Sequence, residues 1–313
     1  MSGPITTDDT GPIGGASVVK TPTLEITESR VSQVGAFSVR RALPHRTRRT
    51  VGAWCFLDHM GPTTVDEHHG LDIGPHPHIG LQTVTWLLDG TALHRDSLGT
   101  EQVIAPGQLN LMTAGHGVAH SEEATGSYRG LMHGVQLWVA QPEATRHGAP
   151  AFEHHAELPH VALDNAVVTI LIGNLDDVES PARRDTDHAG FELDLHPGAM
   201  TMPLRADYEH ALVVLDGHTV IDGALVAPGQ MAYLGVERDE LHLTTDTRTR
   251  AMLIGGIPSP ERLLMWWNYV ARTRDEIAAA HADWTAASER FGHVGSPLPR
   301  IDTAPPPWTG TDR

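Results

Sequence analysis

Leu87-Leu88-Asp89-Gly90 and Ala105-Pro106-Gly107-Gln108 recur, in the same order, as Val214-Leu215-Asp216-Gly217 and Ala227-Pro228-Gly229-Gln230. Each pair joins the apolar end of a strand to a turn, and then a Pro-Gly turn to the start of the next strand. Two such matches in register predict a duplicated β domain. Short apolar runs around them, Gln82–Leu88 and Val135–Val139 in the first half and Val167–Ile172, His210–Leu215 and Met252–Ile254 in the second, are punctuated by turn residues. With 31 Gly and 22 Pro among 313 residues, many short strands are expected.

Working outward, residues 22–150 read as the first β domain and 160–258 as the second, with the polar stretch 141–159 as a linker. Residues 1–21 read as a disordered N-terminus, 259–294 as a helical segment and 295–313 as a flexible tail. Thr273-Arg274-Asp275-Glu276 has the form of a capping box, and Ile277, Ala280, Trp284 and Ala287 follow at helical spacing. Trp266-Trp267 just before it is expected to be packing rather than a stacking surface for a ligand.

Net charge is −17, which opposes binding of nucleic acid phosphates. The cluster Arg40-Arg41…Arg46-Arg48-Arg49 is read as a solvated or salt-bridging face. No apolar run reaches the ~18 residues of a membrane span. The N-terminus lacks the basic start and apolar stretch of a secretory signal, so a cytoplasmic location is expected. Cys55 is the single cysteine, which excludes an intrachain disulfide, and its apolar neighbours predict a buried, inert thiol.

Chemistry is concentrated in His76-Pro77-His78 and His120-Ser121-Glu122. Residues i and i+2 of a strand face the same side, roughly 6.5–7 Å apart along the chain. Two such pairs on neighbouring strands can close on one ion, with imidazole nitrogens at about 2.0–2.2 Å. Among 21 histidines an isolated His-x-His says little. Gly70, His76, His78, Thr83 and Gly90 together resemble the first cupin motif. The stretch His76-Pro77-His78-Ile79-Gly80-Leu81-Gln82-Thr83-Val84 and the longer Met112-Thr113-Ala114-Gly115-His116-Gly117-Val118-Ala119-His120-Ser121-Glu122 resemble the pirin family. So do Asp58-His59-Met60-Gly61-Pro62 and Gly134-Val135-Gln136-Leu137-Trp138-Val139. The resemblance runs from roughly residue 22 to 290, with Gln82 in place of the family's common Glu.

That resemblance implies an all-β fold of two cupin-type antiparallel β-barrels, a bicupin, with a short C-terminal helix. It implies one divalent metal in the first barrel, held by His76, His78, His120 and Glu122. The ion is expected to be Fe2+, with Mn, Ni, Cu, Co or Zn as alternatives. Counting back from Gly217 as from Gly90 places Pro203-Leu204-Arg205 at the His-Pro-His position, and Met231–Gly235 stands at the partner strand, so the second barrel is read as metal-free. The implied activity is that of a quercetin 2,3-dioxygenase, which opens a flavonol-type ring with O2; the implied partners are an enolisable aromatic small molecule and O2, with Glu122 also accepting the substrate proton. The alternative is a metal- or redox-responsive regulator that binds transcription factors or metabolic enzymes. A monomer without direct nucleic-acid or membrane contact is expected. His59, His94, His116 and His133 are expected as hydrogen-bonded histidines, of which His59 and His133 are candidates for the substrate pocket.

Overall fold

A computed structural model describes residues 23–35, 37–66, 70–126 and 128–309. The expected disordered segment 1–21 and the last four residues of the tail lie outside them.

The repeated Pro-Gly tetrapeptides form the same turn twice. In the first, the amide of Gln108 donates to Ala105 O at 3.2 Å and the Gln108 side chain accepts from Ala105 N at 3.0 Å. In the second, Gln230 repeats both bonds with Ala227 at 3.1 and 3.0 Å. Pro sets the first central residue, and Gly107 (φ +80°) and Gly229 (φ +95°) take the left-handed conformation that a type II turn requires. The turns lead into strands Leu109–Thr113 and Gln230–Gly235. These pair antiparallel with Leu81–Asp89 and Glu209–Asp216, the strands that carry the other repeat.

Each half is a seven-stranded sheet packed with a four-stranded one. Every pairing between the strands of these sheets is antiparallel. This is the expected all-β, two-cupin architecture with one helix among the described residues. The two seven-stranded sheets face each other and share one apolar cluster. Leu57, Val84, Leu111 and Val135 from the first half meet Val213, Met231, Met252 and Ile254 from the second. Trp54 is fully buried there, and its indole N–H reaches Ala189 O at 3.1 Å and Gly255 O at 3.2 Å across the junction. The second half also encloses a continuous apolar interior that includes Met200, Met202, Leu241 and Leu243. In the first half the interior is split into two apolar clusters, one around Phe37, Val39 and Met60 and one around Phe56, Met112 and Trp138.

Several segments depart from the boundaries read in the sequence, because strand pairing ignores chain order. Glu25–Glu28, assigned to the first domain, pairs with Gln230–Gly235 of the second. The stretch read as a linker contains a strand, Ala151–His155, which extends the first seven-stranded sheet beside Leu109–Thr113. The segment after the second half begins with a hairpin, Leu264–Trp266 and Tyr269–Ala271, that returns to the first half, where Val270 N donates to Ile79 O at 3.1 Å. The tail expected to be flexible is anchored: Ile301 N donates to Pro75 O at 2.8 Å, and Trp284 Nε1 donates to Ile301 O at 3.0 Å.

The helix, Arg274–Thr285, starts where the capping box placed it. Thr273 Oγ1 accepts from Glu276 N at 3.2 Å, while the Glu276 carboxylate reaches past the cap to Arg272 N at 3.0 Å. Ile277, Ala280 and Trp284 are buried, whereas Ala287 lies beyond the helix and is exposed. No helix among the described residues is long and apolar enough to cross a membrane.

Candidate metal centre

Strands Ile73–His78 and Val118–Ala124 are antiparallel neighbours in the first four-stranded sheet. Their register puts His120 opposite His76 and Val118 opposite His78. Alternation along each strand turns His76, His78 and His120 to the same inner face. One nitrogen from each of the three lies within 4.8 Å of the others, and all three side chains are buried. The register shifts between His120 and Glu122, so that Glu122 stands opposite Ile73. Glu122 is half-buried on the wall of the same cavity, but its carboxylate falls outside the three-histidine cluster.

The hydrogen bonds of the far nitrogens decide what the cluster offers. His76 Nδ1 lies 2.9 Å from Gly74 O and His78 Nδ1 lies 2.9 Å from Asn268 O. A carbonyl only accepts, so both Nδ1 atoms carry the proton and both Nε2 atoms carry a lone pair. For His120 the same result follows through two steps. His94 Nε2 donates to Asp96 Oδ2 at 3.1 Å, which leaves His94 Nδ1 as an acceptor for His120 Nδ1–H at 3.3 Å. Asp96 is fixed in turn by the amides of Leu98 and Thr100 at 2.9 and 3.0 Å. His78 Nε2 and His120 Nε2 therefore face each other at 3.0 Å with no proton between them. Two opposed lone pairs in a dry site repel unless a cation lies against them, and neutral imidazoles whose other nitrogen is held by a carbonyl or a carboxylate-linked partner are what metal sites use. Burial pushes His76 down to about 4, and burial with mutual repulsion pushes His78 and His120 well below the ordinary imidazole range, so all three are neutral donors at neutral pH. The residues present fit a single divalent ion.

Burial also raises Glu122 to about 7. The cavity it borders measures about 490 Å³, inside the ~300–1,000 Å³ span of small-molecule sites. Phe56 and Trp138 on its wall stack with ring centres 4.0 Å apart, and Trp138 meets His78 edge-on at 5.2 Å. Arg41 lies over Phe56 at 4.5 Å and makes a two-point ion pair with Asp58 at 2.7 and 2.6 Å. Arg41, Asp58, Gln136, Trp267, Asn268 and Ile301 all line this cavity. None of these was singled out as a pocket residue in the sequence. The arginine-rich stretch and the Trp pair were visible, but nothing local says that they face a site built by other strands.

His59 and His133 stand apart from the three-histidine cluster. They do not line the cavity. Phe56, Asp58 and Met60 point into it, so the alternate residue His59 faces the other side of the sheet, beside Val135. There its Nε2 meets His133 Nε2 at 2.9 Å. His94 is the histidine that matters near the centre, through His120, and it stacks on Phe152 of the strand taken for a linker. His116 is exposed and bonds Gly148 O. The Cys55 thiol is fully buried and pushed up to about 12 by burial, so it stays protonated and inert, as expected.

In the second half the strands that stand where the ligand strands stand are Gly198–Pro203 and Glu240–Thr245. Met200 pairs with Leu243 and Met202 with Leu241, and all four turn inward. The count from Gly217 placed the slot a few residues too late, at Pro203–Arg205, because the connection from this strand to Glu209–Asp216, residues 204–208, is longer than residues 79–80, which join Ile73–His78 to Leu81–Asp89. The inner positions are apolar and offer no donor set.

The "Pirin" family model matches residues 36–139, and the model described as "Pirin C-terminal cupin domain" matches residues 190–292. A Pseudomonas aeruginosa protein named "Putative quercetin 2,3-dioxygenase" is 44% identical over 289 residues, covering 91% of each chain. A "Pirin-like protein" of Caulobacter vibrioides is 36% identical over 267 residues, 83% of this chain and 92% of its own. Among solved structures, quercetin 2,3-dioxygenase from Acinetobacter baumannii is similar with a TM-score of 0.88 and 38% identity, covering 92% of this chain and 97% of that one.

Proposed function

The chain belongs to the pirin family, and from that premise we propose that it is a metal-dependent dioxygenase acting on a flavonol-type, quercetin-like substrate in the cytoplasm. The observation that carries this reading is the convergence of three bare imidazole nitrogens on a cavity that also holds a carboxylate with a raised pKa. His76, His78, His120 and Glu122 are the proposed ligands, and iron is the proposed ion, with manganese, nickel, copper, cobalt and zinc as alternatives. A bound ion would supply Lewis acidity and, if iron, a place for dioxygen.

The remaining chemistry falls to this chain's side chains. Glu122, on the cavity wall beside the three histidines, is the carboxylate placed to take a proton from an enolic hydroxyl; without an ion, burial raises its carboxyl to about 7. His76, His78 and His120 stay neutral through burial and do not compete for that proton. Phe56 and Trp138 provide a flat apolar wall, and the Arg41–Asp58 pair provides polar groups for ring hydroxyls. Opening of a flavonol ring with O2 and release of carbon monoxide is the expected overall reaction.

The test is O2 uptake by iron-loaded protein with quercetin, normalised to bound iron, for the wild type and Glu122→Gln. Turnover well above free iron is expected in the wild type. A fall of ~10²–10⁴ per bound iron is expected in the variant if Glu122 is the base. Wild-type uptake no faster than free iron would refute the enzyme and leave the regulatory alternative.

A further inference from the structure

The proposed site is completed by a piece of chain that follows the second half. The hairpin Leu264–Trp266 and Tyr269–Ala271 crosses back to the first half and lies against the ligand strand. Besides the Val270–Ile79 bond, its Asn268 carbonyl accepts from Nδ1 of His78. Gly80 allows this approach: a Cβ there would sit 2.2 Å from Val270 O. Trp267 and Asn268 form the two-residue tip, and both line the cavity.

Trp267 holds φ +51°. A two-residue hairpin turn with positive φ at its first central residue normally places Gly there, because a Cβ is disfavoured in that region and a bulky side chain more so. Here the position carries an indole. Its contact with the hairpin itself is modest: it meets Tyr269 edge-on at 5.5 Å and Trp266 at 6.2 Å, and it is only half-buried. A strained position kept by a large side chain that is half open to a cavity marks a functional demand on that side chain. The sequence reading of the Trp pair as packing fits Trp266, whose ring contacts Tyr269, His281 and Trp308. It holds for Trp267 as well, which packs against the cluster around Tyr269 and Ile277, but the half-buried Trp267 also lines the cavity.

We infer that Trp267 is the specificity-determining platform against which a planar aromatic substrate rests, at the cavity rim opposite in sequence to the metal ligands but tied to them through Asn268 and His78. This rests on the reading of the cavity as a site for an enolisable aromatic compound. The ring of such a substrate gains contact with the indole face, while the fixed Asn268 carbonyl keeps platform and ligand in one frame.

The experiment uses the full chain loaded with zinc, which binds the site without redox turnover, and quercetin as the probe. Quercetin affinity and melting temperature are measured for the wild type, Trp267→Gly and Trp267→Phe. Trp267→Gly should weaken quercetin about tenfold, the loss of one aromatic contact with its burial. Gly accepts the positive φ, which offsets the packing the indole gives up against the cluster around Tyr269, so the melting temperature should stay close to wild type. Trp267→Phe should restore most of the affinity. In iron-loaded protein the glycine variant should raise KM and leave kcat largely intact. Unchanged affinity in Trp267→Gly overturns the inference, and so does a sharp drop in melting temperature with no rescue by Phe. Binding by the wild type without O2 uptake would sink the dioxygenase reading alone; absence of binding to the wild type would sink both.

Discussion

Asp96 never touches the proposed ion, yet its near-isosteric replacement by Asn should loosen it. Asp96 is buried, and burial opposes its charge. The hydrogen bonds from His94 and the Thr100 amide outweigh that and hold its carboxyl below the usual range. One oxygen takes the amides of Leu98 and Thr100 and the other takes His94 Nε2–H. In Asp96→Asn the oxygen must stay with the two amides, which turns the –NH2 toward His94 Nε2. Two donors cannot face each other, so the His94 proton moves to Nδ1, where it confronts His120 Nδ1–H. The relief available to His120 is to shift its own proton to Nε2, the atom that should hold the metal. Binding must then reverse that shift and leave one buried donor unpaired, at about 1–3 kcal/mol. Partners of this kind typically contribute 10–100-fold in metal affinity, about 1.4–2.7 kcal/mol, so the two routes agree. A competition titration of zinc against a chelator at pH 7.5 measures it, with apo-protein melting as a control for folding. Affinity within twofold of wild type would show that the Asp96–His94–His120 chain does not set the tautomer.

Metal affinity should depend on pH through Glu122. Its carboxyl is raised by burial to about 7, so below that value an ion must displace a proton: log affinity should rise with a slope of about one up to pH 7 and flatten above it, and Glu122→Gln should remove the slope. The same group should make the apo-protein lose stability as pH rises from its unfolded value through about 7, because the folded state holds that proton more tightly; His76, lowered by burial to about 4, works the other way, its contribution being lost as pH falls from about 6.5 toward 4. Because the two windows overlap and their slopes oppose, they are separated by comparing denaturation midpoints of apo wild type and Glu122→Gln: the variant should gain stability relative to wild type as pH rises from about 4.5 to 7, and a pH-independent difference contradicts the burial argument. Trp54→Ala should destabilise by about 3–5 kcal/mol, since it empties a fully buried site between the halves and strands two carbonyls; a loss under about 1 kcal/mol in urea denaturation would mean the halves do not rely on that contact.

The duplication and the all-β class were legible in the chain itself, and the resemblance to the pirin family singled out the histidines that converge. Those features are local: a Pro-Gly turn needs its residues side by side, and two residues at i and i+2 of a strand share a face whatever surrounds them. The helix start at Thr273 was legible for the same reason, since a cap is closed by atoms three residues apart. The tertiary structure alone decided the rest. His59 was assigned to the pocket by its neighbourhood in the sequence, but one step of strand alternation sent it to the opposite face with His133. His94 was expected only to be hydrogen-bonded, and a neighbouring strand decided that its partners are His120 and Asp96. Glu25–Glu28, Phe152, Trp267 and Ile301 act far along the chain from where they lie in the fold. Pairing and packing between distant segments are chosen by the total burial and hydrogen bonding of the folded chain, and no short window of residues carries that sum.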